Sequence, residues 1–372
     1  MVKSKKNLFF NSIELFILLI GIWIAGFSIA NKFYFYLLYL ILLIVILAIQ
    51  KSKLLIIFLI FSIWLIFSCL IIFNNYLENI NKINSLLEKT NFYSLRKIAT
   101  NYISSIYNNN ITSNYINMLI FNDKSDLINN FYNNVKNLSI VHLFVVSGLH
   151  INLLGLILHK LFFKKVKNKR IILSFDLIFC LFYGYLLAFS ISILRIIVNI
   201  FIKLINININ QEKINYISAL VIIFVLPGEI LSYGYFMSYF CSIGVVHLYK
   251  NIENKLFLGV FINFYCILVT LPFIANMNKK INVFAFFYNY MYSFIVIFHY
   301  FWFILFAWWK PVIFINNYLF NSLNSLILMN LDLSIYINLN FFKNFLQNIY
   351  WAILLVFMGI FHFFMHKNKK NF

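Results

Sequence analysis

The sequence predicts an all-α fold, a polytopic bundle of about 11 to 12 transmembrane helices with a small helical extracytoplasmic segment. Of its 372 residues, 63% are hydrophobic and 20% are aromatic, and the mean hydropathy is +0.87. A soluble domain has no core large enough to absorb that much apolar surface. With only 10 Gly and 3 Pro, the apolar runs are free to form long helices, which satisfy every backbone group internally in lipid.

Three apolar runs open the chain, over residues 8–30, 33–50 and 54–73, and form a predicted N-terminal transmembrane unit, 1–73. A polar segment rich in Asn, Ser and Lys follows over 74–137. We expect it to lie outside the cell as short amphipathic helices that turn Leu95, Ile98, Ile103 and Ile106 inward.

Nine further apolar runs follow the polar segment. They cover residues 139–163, 171–189, 190–206, 214–232, 235–249, 256–275, 282–309, 312–330 and 347–365. They divide into a predicted membrane domain, 138–309, and a C-terminal membrane segment, 310–372. The runs 190–206 and 312–330 carry scattered polar residues, so either is a candidate for a re-entrant or interfacial helix.

The charge distribution predicts the orientation. Lys and Arg number 30 against 10 Asp and Glu, a net charge of +20. Basic residues collect at the two termini and after the fourth run. Twelve crossings of a bacterial cell membrane would place all three of these groups on its cytoplasmic side. Lysine-rich loops and a genome poor in G and C account for part of the excess, and a polyanionic substrate is the other explanation.

Two sets of polar residues interrupt the apolar runs. On a continuous helix of about 100° per residue, His142, His150 and Ser147 share one sector, at roughly 0°, 80° and 140°. The alternative to a functional site there is a tight helix crossing beside Gly148.

Arg195 lies among apolar neighbours, and its guanidinium is suited to bind phosphate oxygens. Its alternatives are snorkelling, or an internal ion pair with Asp176 or Glu229.

Several residues follow a recognisable order between residues 119 and 158. They are Asp123, Lys124, His142, Leu143, Ser147, Gly148, Leu149 and His150. This order resembles the entry to the membrane domain of the ComEC competence family. Further matches downstream are Ser192, Leu194 and Arg195, then Gly234, Phe236, Ser238 and Phe240, and more weakly Leu271, Pro272 and Asn289.

The sequence also departs from the family pattern. Ile191 replaces a family Pro, Ile196 a family Ala and Met237 a family Gln. Many relatives carry an OB-like domain and a metallo-β-lactamase-like domain, and we expect this chain to be a reduced version that lacks both. The four cysteines are predicted to be apolar fillers, and we expect no metal and no cofactor.

The resemblance implies a non-enzymatic channel that passes single-stranded DNA inward during natural transformation. A separate DNA receptor and a cytoplasmic DNA-translocating helicase would be its partners, beside the lipid bilayer. Candidate DNA-contacting residues are His142, Ser147, Gly148, His150, Ser192, Arg195, Ser238 and Asn289. A transporter of a small anion is the alternative, and an intramembrane hydrolase that uses Ser147 with His150 is a third class.

Overall fold

A computed structural model describes residues 91–338, apart from residues 124, 147, 165, 167, 188, 227–232 and 279. Within this part the chain forms eleven α-helices and two short strands. The helices are α1 (Asn91–Ile106), α2 (Ile111–Phe121), α3 (Asn129–Asn137), α4 (Gly148–Phe162), α5 (Lys169–Leu186), α6 (Ile191–Ile205), α7 (Gln211–Val225), α8 (Tyr233–Asn251), α9 (Lys255–Asn278), α10 (Ala285–Phe306) and α11 (Ile313–Asp332). The predicted helical class is confirmed for these residues, and the runs within 8–73 and 347–365 lie outside them.

The segment before α4 folds as short helices, as expected, but α1 buries a different face from the predicted one. Ile103 and Ile106 are buried, whereas Leu95 and Ile98 are 47% and 61% exposed. On the helix, Leu95 and Ile98 lie roughly 80° and 140° from Ile103. The buried stripe runs instead through Thr100 and Ile103, so the expectation for Leu95 and Ile98 was wrong.

Helices α4 to α9 pack largely as neighbours along the chain. Helix α6 contacts α4, α5, α7 and α8, and α8 also packs against α9. Two of these helices begin at asparagine caps: Asn168 accepts a hydrogen bond from the amide of Arg170, and Asn210 accepts one from the amide of Glu212. Each cap satisfies a backbone N–H that the first helical turn leaves open. Because α6 contacts four other helices, it is the central helix of this group.

Helices α10 and α11 pack against α2 and α3. Tyr115 of α2 is fully buried there, and its hydroxyl is 3.0 Å from Nδ1 of His299 on α10. The rings of Phe131 and Phe320 lie 5.4 and 5.0 Å from that of Tyr115. Beside this aromatic core, the antiparallel strands β1 (Lys280–Asn282) and β2 (Tyr336–Asn338) tie the start of α10 to the end of α11.

Two helices of the described part are long and apolar enough to cross a membrane, Ala285–Phe306 and Lys310–Asp332. The contacts of α10 conflict with the predicted topology. Near its start Asn289 bonds His142, and at its end the carbonyl of Ala307 accepts a 3.3 Å hydrogen bond from Tyr107. The prediction places Tyr107 in the outer segment and His142 at the outer end of the run 139–163. A helix of 22 residues is about 33 Å long, so an outside α1–α2 segment and a full crossing by α10 cannot both hold.

Candidate functional site

The guanidinium of Arg195 lies where three helices meet. Arg195 is on α6, and its Nη1 donates a hydrogen bond to the main-chain carbonyl of Ser238 on α8. Its Nη2 lies beside Gly148, the first residue of α4, where a Cβ would come within 2.6 Å of that nitrogen. A side chain at position 148 would displace the guanidinium, so glycine is needed for this approach. Three sequence-predicted residues, Gly148, Arg195 and Ser238, therefore form one cluster.

No carboxylate of the described residues pairs with Arg195. Asp176, one of the two expected partners, instead lies 2.6 Å from Nε2 of His159, and Glu229 is outside the described residues. Arg195 also lies near an aromatic face, since its Cζ is 5.9 Å from the centre of the Tyr239 ring. A guanidinium has five N–H donors, and the Ser238 carbonyl accepts from only one nitrogen. The cluster is thus chemically suited to bind an anion.

Ser238 contributes in a different way from that expected. Its carbonyl, not its hydroxyl, contacts Arg195, and its buried Oγ has no hydrogen-bond partner among the described residues. Ser192 is half-buried in the first turn of α6, on the same helix as Arg195. Ser147 lies outside the described residues, so its predicted role stays a prediction.

His142 and Asn289 form a second cluster. His142 is not on α4, because residues Val141–Leu143 form a separate 3-10 turn, and its predicted place on one helix with His150 was wrong. Its Nε2 is 3.0 Å from Oδ1 of Asn289, which requires that the imidazole Nε2 carries the proton. Asn289 in turn donates through Nδ2 to Oδ1 of Asn263, at 2.6 Å. Asn263 was missed, although a lone Asn inside the apolar run 256–275 was its signal.

His150 lies in a buried aromatic group. It is 4% exposed, and its ring centre is 4.7 Å from that of Tyr300 on α10. The Tyr300 hydroxyl is 2.7 Å from that of Tyr183, which donates to the carbonyl of Ile120 at 3.1 Å. Tyr300 is therefore the donor of the pair. This chain of hydrogen bonds joins α2, α5 and α10. Because His150 is buried against Tyr300, a member of that chain, it packs in the core instead of facing an open path.

A groove of about 390 Å³ is present beside α1, but its lining is almost wholly apolar. Its lining residues are Leu95, Ala99, Ile120, Phe121, Phe182, Tyr183, Leu186, Ile304 and Trp308. Within the described part, His, Cys, Asp and Glu form no group of three or more able to hold a metal ion.

Two relatives share part of this sequence. A protein of Mycoplasma pneumoniae described as "Uncharacterized protein MG316 homolog" is 24% identical over 210 residues, 55% of this chain and 54% of the relative. "Uncharacterized protein MG316" of Mycoplasma genitalium is 26% identical over 220 residues, 59% of this chain and 57% of the relative. The chain thus spans about half the length of the relatives it matches. No solved structure matches it.

The family model described as "Competence protein" matches residues 119–370. The match begins in α2 and includes every residue of the Arg195 and His142 clusters. It extends over more than half of the chain, and the family is membrane-associated. On this match, the chain belongs to the competence protein family.

Proposed function

We propose that the protein is a multi-pass channel of the cell membrane that passes single-stranded DNA inward during natural transformation. One observation carries this proposal beyond the family role. Arg195, a cation among apolar helices, lies against Gly148 and Ser238 with no carboxylate of the described residues beside it. An uncompensated cation inside a helical bundle is costly to maintain, and such residues mark the paths of charged substrates.

The chemistry of Arg195 fits a phosphodiester. A guanidinium is planar, stays charged and matches the geometry of phosphate oxygens. With Nη1 held by the Ser238 carbonyl, the side chain is oriented before a substrate arrives, so less entropy is lost on binding. A DNA strand presents one phosphate after another to this guanidinium, which would exchange one for the next.

We assign no catalytic step to the chain itself. Strand degradation and motor force would come from separate proteins, a nuclease and a cytoplasmic helicase, and a DNA receptor would deliver the strand. The lipid bilayer is the other partner, since two helices of the described part have the length and composition to cross it.

The test is uptake of labelled DNA by cells whose chromosomal gene carries Arg195→Gln. Loss of one charge-assisted hydrogen bond, about 1.5–3 kcal/mol, corresponds to roughly a 10- to 100-fold fall in uptake. Arg195→Lys keeps the charge without the planar fork and should retain part of the uptake. Arg170→Gln, an exposed arginine at the start of α5, is the matched control and should behave as wild type.

The amount of each variant in the membrane is measured by immunoblot before uptake is compared. Normal uptake by a well-inserted Arg195→Gln protein would contradict the proposal. A small-anion transporter predicts something else: saturable flux of a labelled anion that Arg195→Gln abolishes, with no dependence of transport on DNA length.

A further inference from the structure

Helix α6 carries a polar stripe along its whole length. The stripe consists of Ser192, Arg195, Asn199 and Lys203. Spacings of three and four residues place all four within a sector of roughly 80°. The neighbouring sector is apolar and buried, with Ile193, Ile196 and Ile200. Each residue of the polar stripe is half-buried, so part of each residue remains exposed.

Each residue of the stripe beyond Ser192 meets a different helix. Arg195 contacts α8 and α4 through Ser238 and Gly148. Asn199 donates through Nδ2 to Oδ1 of Asn215 on α7, at 3.2 Å. Lys203 is within electrostatic range of Asp176 on α5. The stripe therefore follows the seam where four helices pack around α6.

Two groups on the stripe lack a strong partner in the described part of the chain. Oδ1 of Asn199 is buried and receives no hydrogen bond there, which is costly for a carbonyl oxygen. Among the described residues no carboxylate lies within ion-pair distance of Lys203, and the carboxylate in electrostatic range of it, Asp176, is already paired with His159 at 2.6 Å. Oδ1 of Asn199 therefore needs a hydrogen-bond donor, and the ammonium of Lys203 can take a further anion.

We propose that this stripe is a strand-binding track in which Arg195 and Lys203 contact two phosphates of one DNA strand and Asn199 accepts a hydrogen bond from a base N–H. The inference rests on the proposed function and extends it to Asn199 and Lys203. The two cations are eight residues apart, which is about 12 Å along the helix. A single strand that enters the seam beside α6 supplies phosphates for the two cations and a base N–H for Oδ1 of Asn199.

The test measures binding of a fluorescent single-stranded oligodeoxynucleotide to the purified full chain at several salt concentrations. Each phosphate contact contributes about 0.7 to the slope of log affinity against log salt for a single strand. Lys203→Gln and Arg195→Gln should each lower the slope by about 0.7, and the double variant by about 1.4. Lys203→Arg should keep the slope, and Lys310→Gln, an exposed lysine just before α11, should leave it unchanged.

Asn199 is tested with two ligands. Asn199→Leu should weaken binding of the ordinary oligonucleotide about 2- to 10-fold, the effect of one neutral hydrogen bond. It should not change binding of an abasic strand of the same length, which keeps the phosphates and lacks the base N–H groups. Lys203→Gln should weaken both.

The outcomes separate the track from the channel. If Arg195→Gln lowers the salt slope and Lys203→Gln, shown to be folded by its thermal unfolding, does not, the track is wrong and the channel proposal stands. An equal loss of both ligands in Asn199→Leu would refute the base contact. If the wild-type protein neither binds nor imports single-stranded DNA, the proposed function itself fails.

Discussion

Nη2 of Arg195 lies so close to Gly148 that a Cβ on that residue would come within 2.6 Å of it. The guanidinium is oriented at this point by the hydrogen bond that its Nη1 donates to the Ser238 carbonyl. A residue that contributes no side chain thus positions the one that carries the charge. The position of the guanidinium where α4, α6 and α8 meet therefore depends on a glycine at position 148.

Gly148→Ala should impair DNA uptake without lowering the amount of protein in the membrane. The new methyl group would push the guanidinium away from the Ser238 carbonyl, while the body of α4, which begins at this residue, is left unchanged. Gly155→Ala on the same helix is the matched control, since nothing lies within 4 Å of its added Cβ. Equal uptake by the two variants would show that the Arg195 position does not matter.

The sequence could predict the Arg195 cluster because its members belong to three ordered motifs. It could not predict the geometry around His142. The helical wheel assumes a continuous helix, but Ser139 has a φ of 65°, and the chain turns at Val141–Leu143 before α4 begins at Gly148. Apolar composition alone does not reveal such a break, since turn and helix are here built from the same residue types.

The topology shows a similar limit. Hydropathy reports the length and composition of a run, not what the run packs against. Run 282–309 is apolar enough to cross a membrane, yet α10 within it buries His299 against Tyr115 of the segment expected outside. Pairing of distant side chains decides that arrangement, and a single sequence does not reveal such pairs.

Cysteines introduced at Asn110 and Lys310 should react from the same side of the membrane. Tyr107, three residues before Asn110, donates to Ala307, three residues before Lys310, so the two sites lie near each other. The measurement is labelling of intact cells with a membrane-impermeant maleimide, in a background without Cys69, Cys180, Cys241 and Cys266. The twelve-crossing order predicts the opposite, with Asn110 outside and Lys310 in the cytoplasm.

Gly244→Ala should destabilise the α8–α9 contact. An added Cβ would overlap the ring of Tyr265 on α9, and that ring is held by a 3.0 Å hydrogen bond from its hydroxyl to the carbonyl of Phe240. Overpacking of this kind costs about 1–3 kcal/mol, visible as a lower midpoint in thermal unfolding of the purified protein. Gly259→Ala on α9 meets nothing within 4 Å and should leave the midpoint unchanged.

The bond between His142 and Asn289 should be measurable as a coupling energy. Asn289→Leu removes the acceptor of the imidazole N–H at 3.0 Å and the donor to Asn263 at 2.6 Å. His142 lies before α4 and Asn289 on α10, so the bond joins elements far apart in sequence. Leaving a buried polar group without its partner costs about 1–3 kcal/mol.

A double-mutant cycle with His142→Leu isolates the pair. Each single variant strands the other residue, whereas the double variant removes both polar groups, so the unfolding free energies should fall short of additivity by about 0.5–3 kcal/mol. Asn289→Leu with Phe314→Leu is the control cycle, since Phe314 is 80% exposed on α11 and should be additive. Additive losses in the His142 cycle would mean that the two residues act independently, and the second cluster would then have no role as a unit.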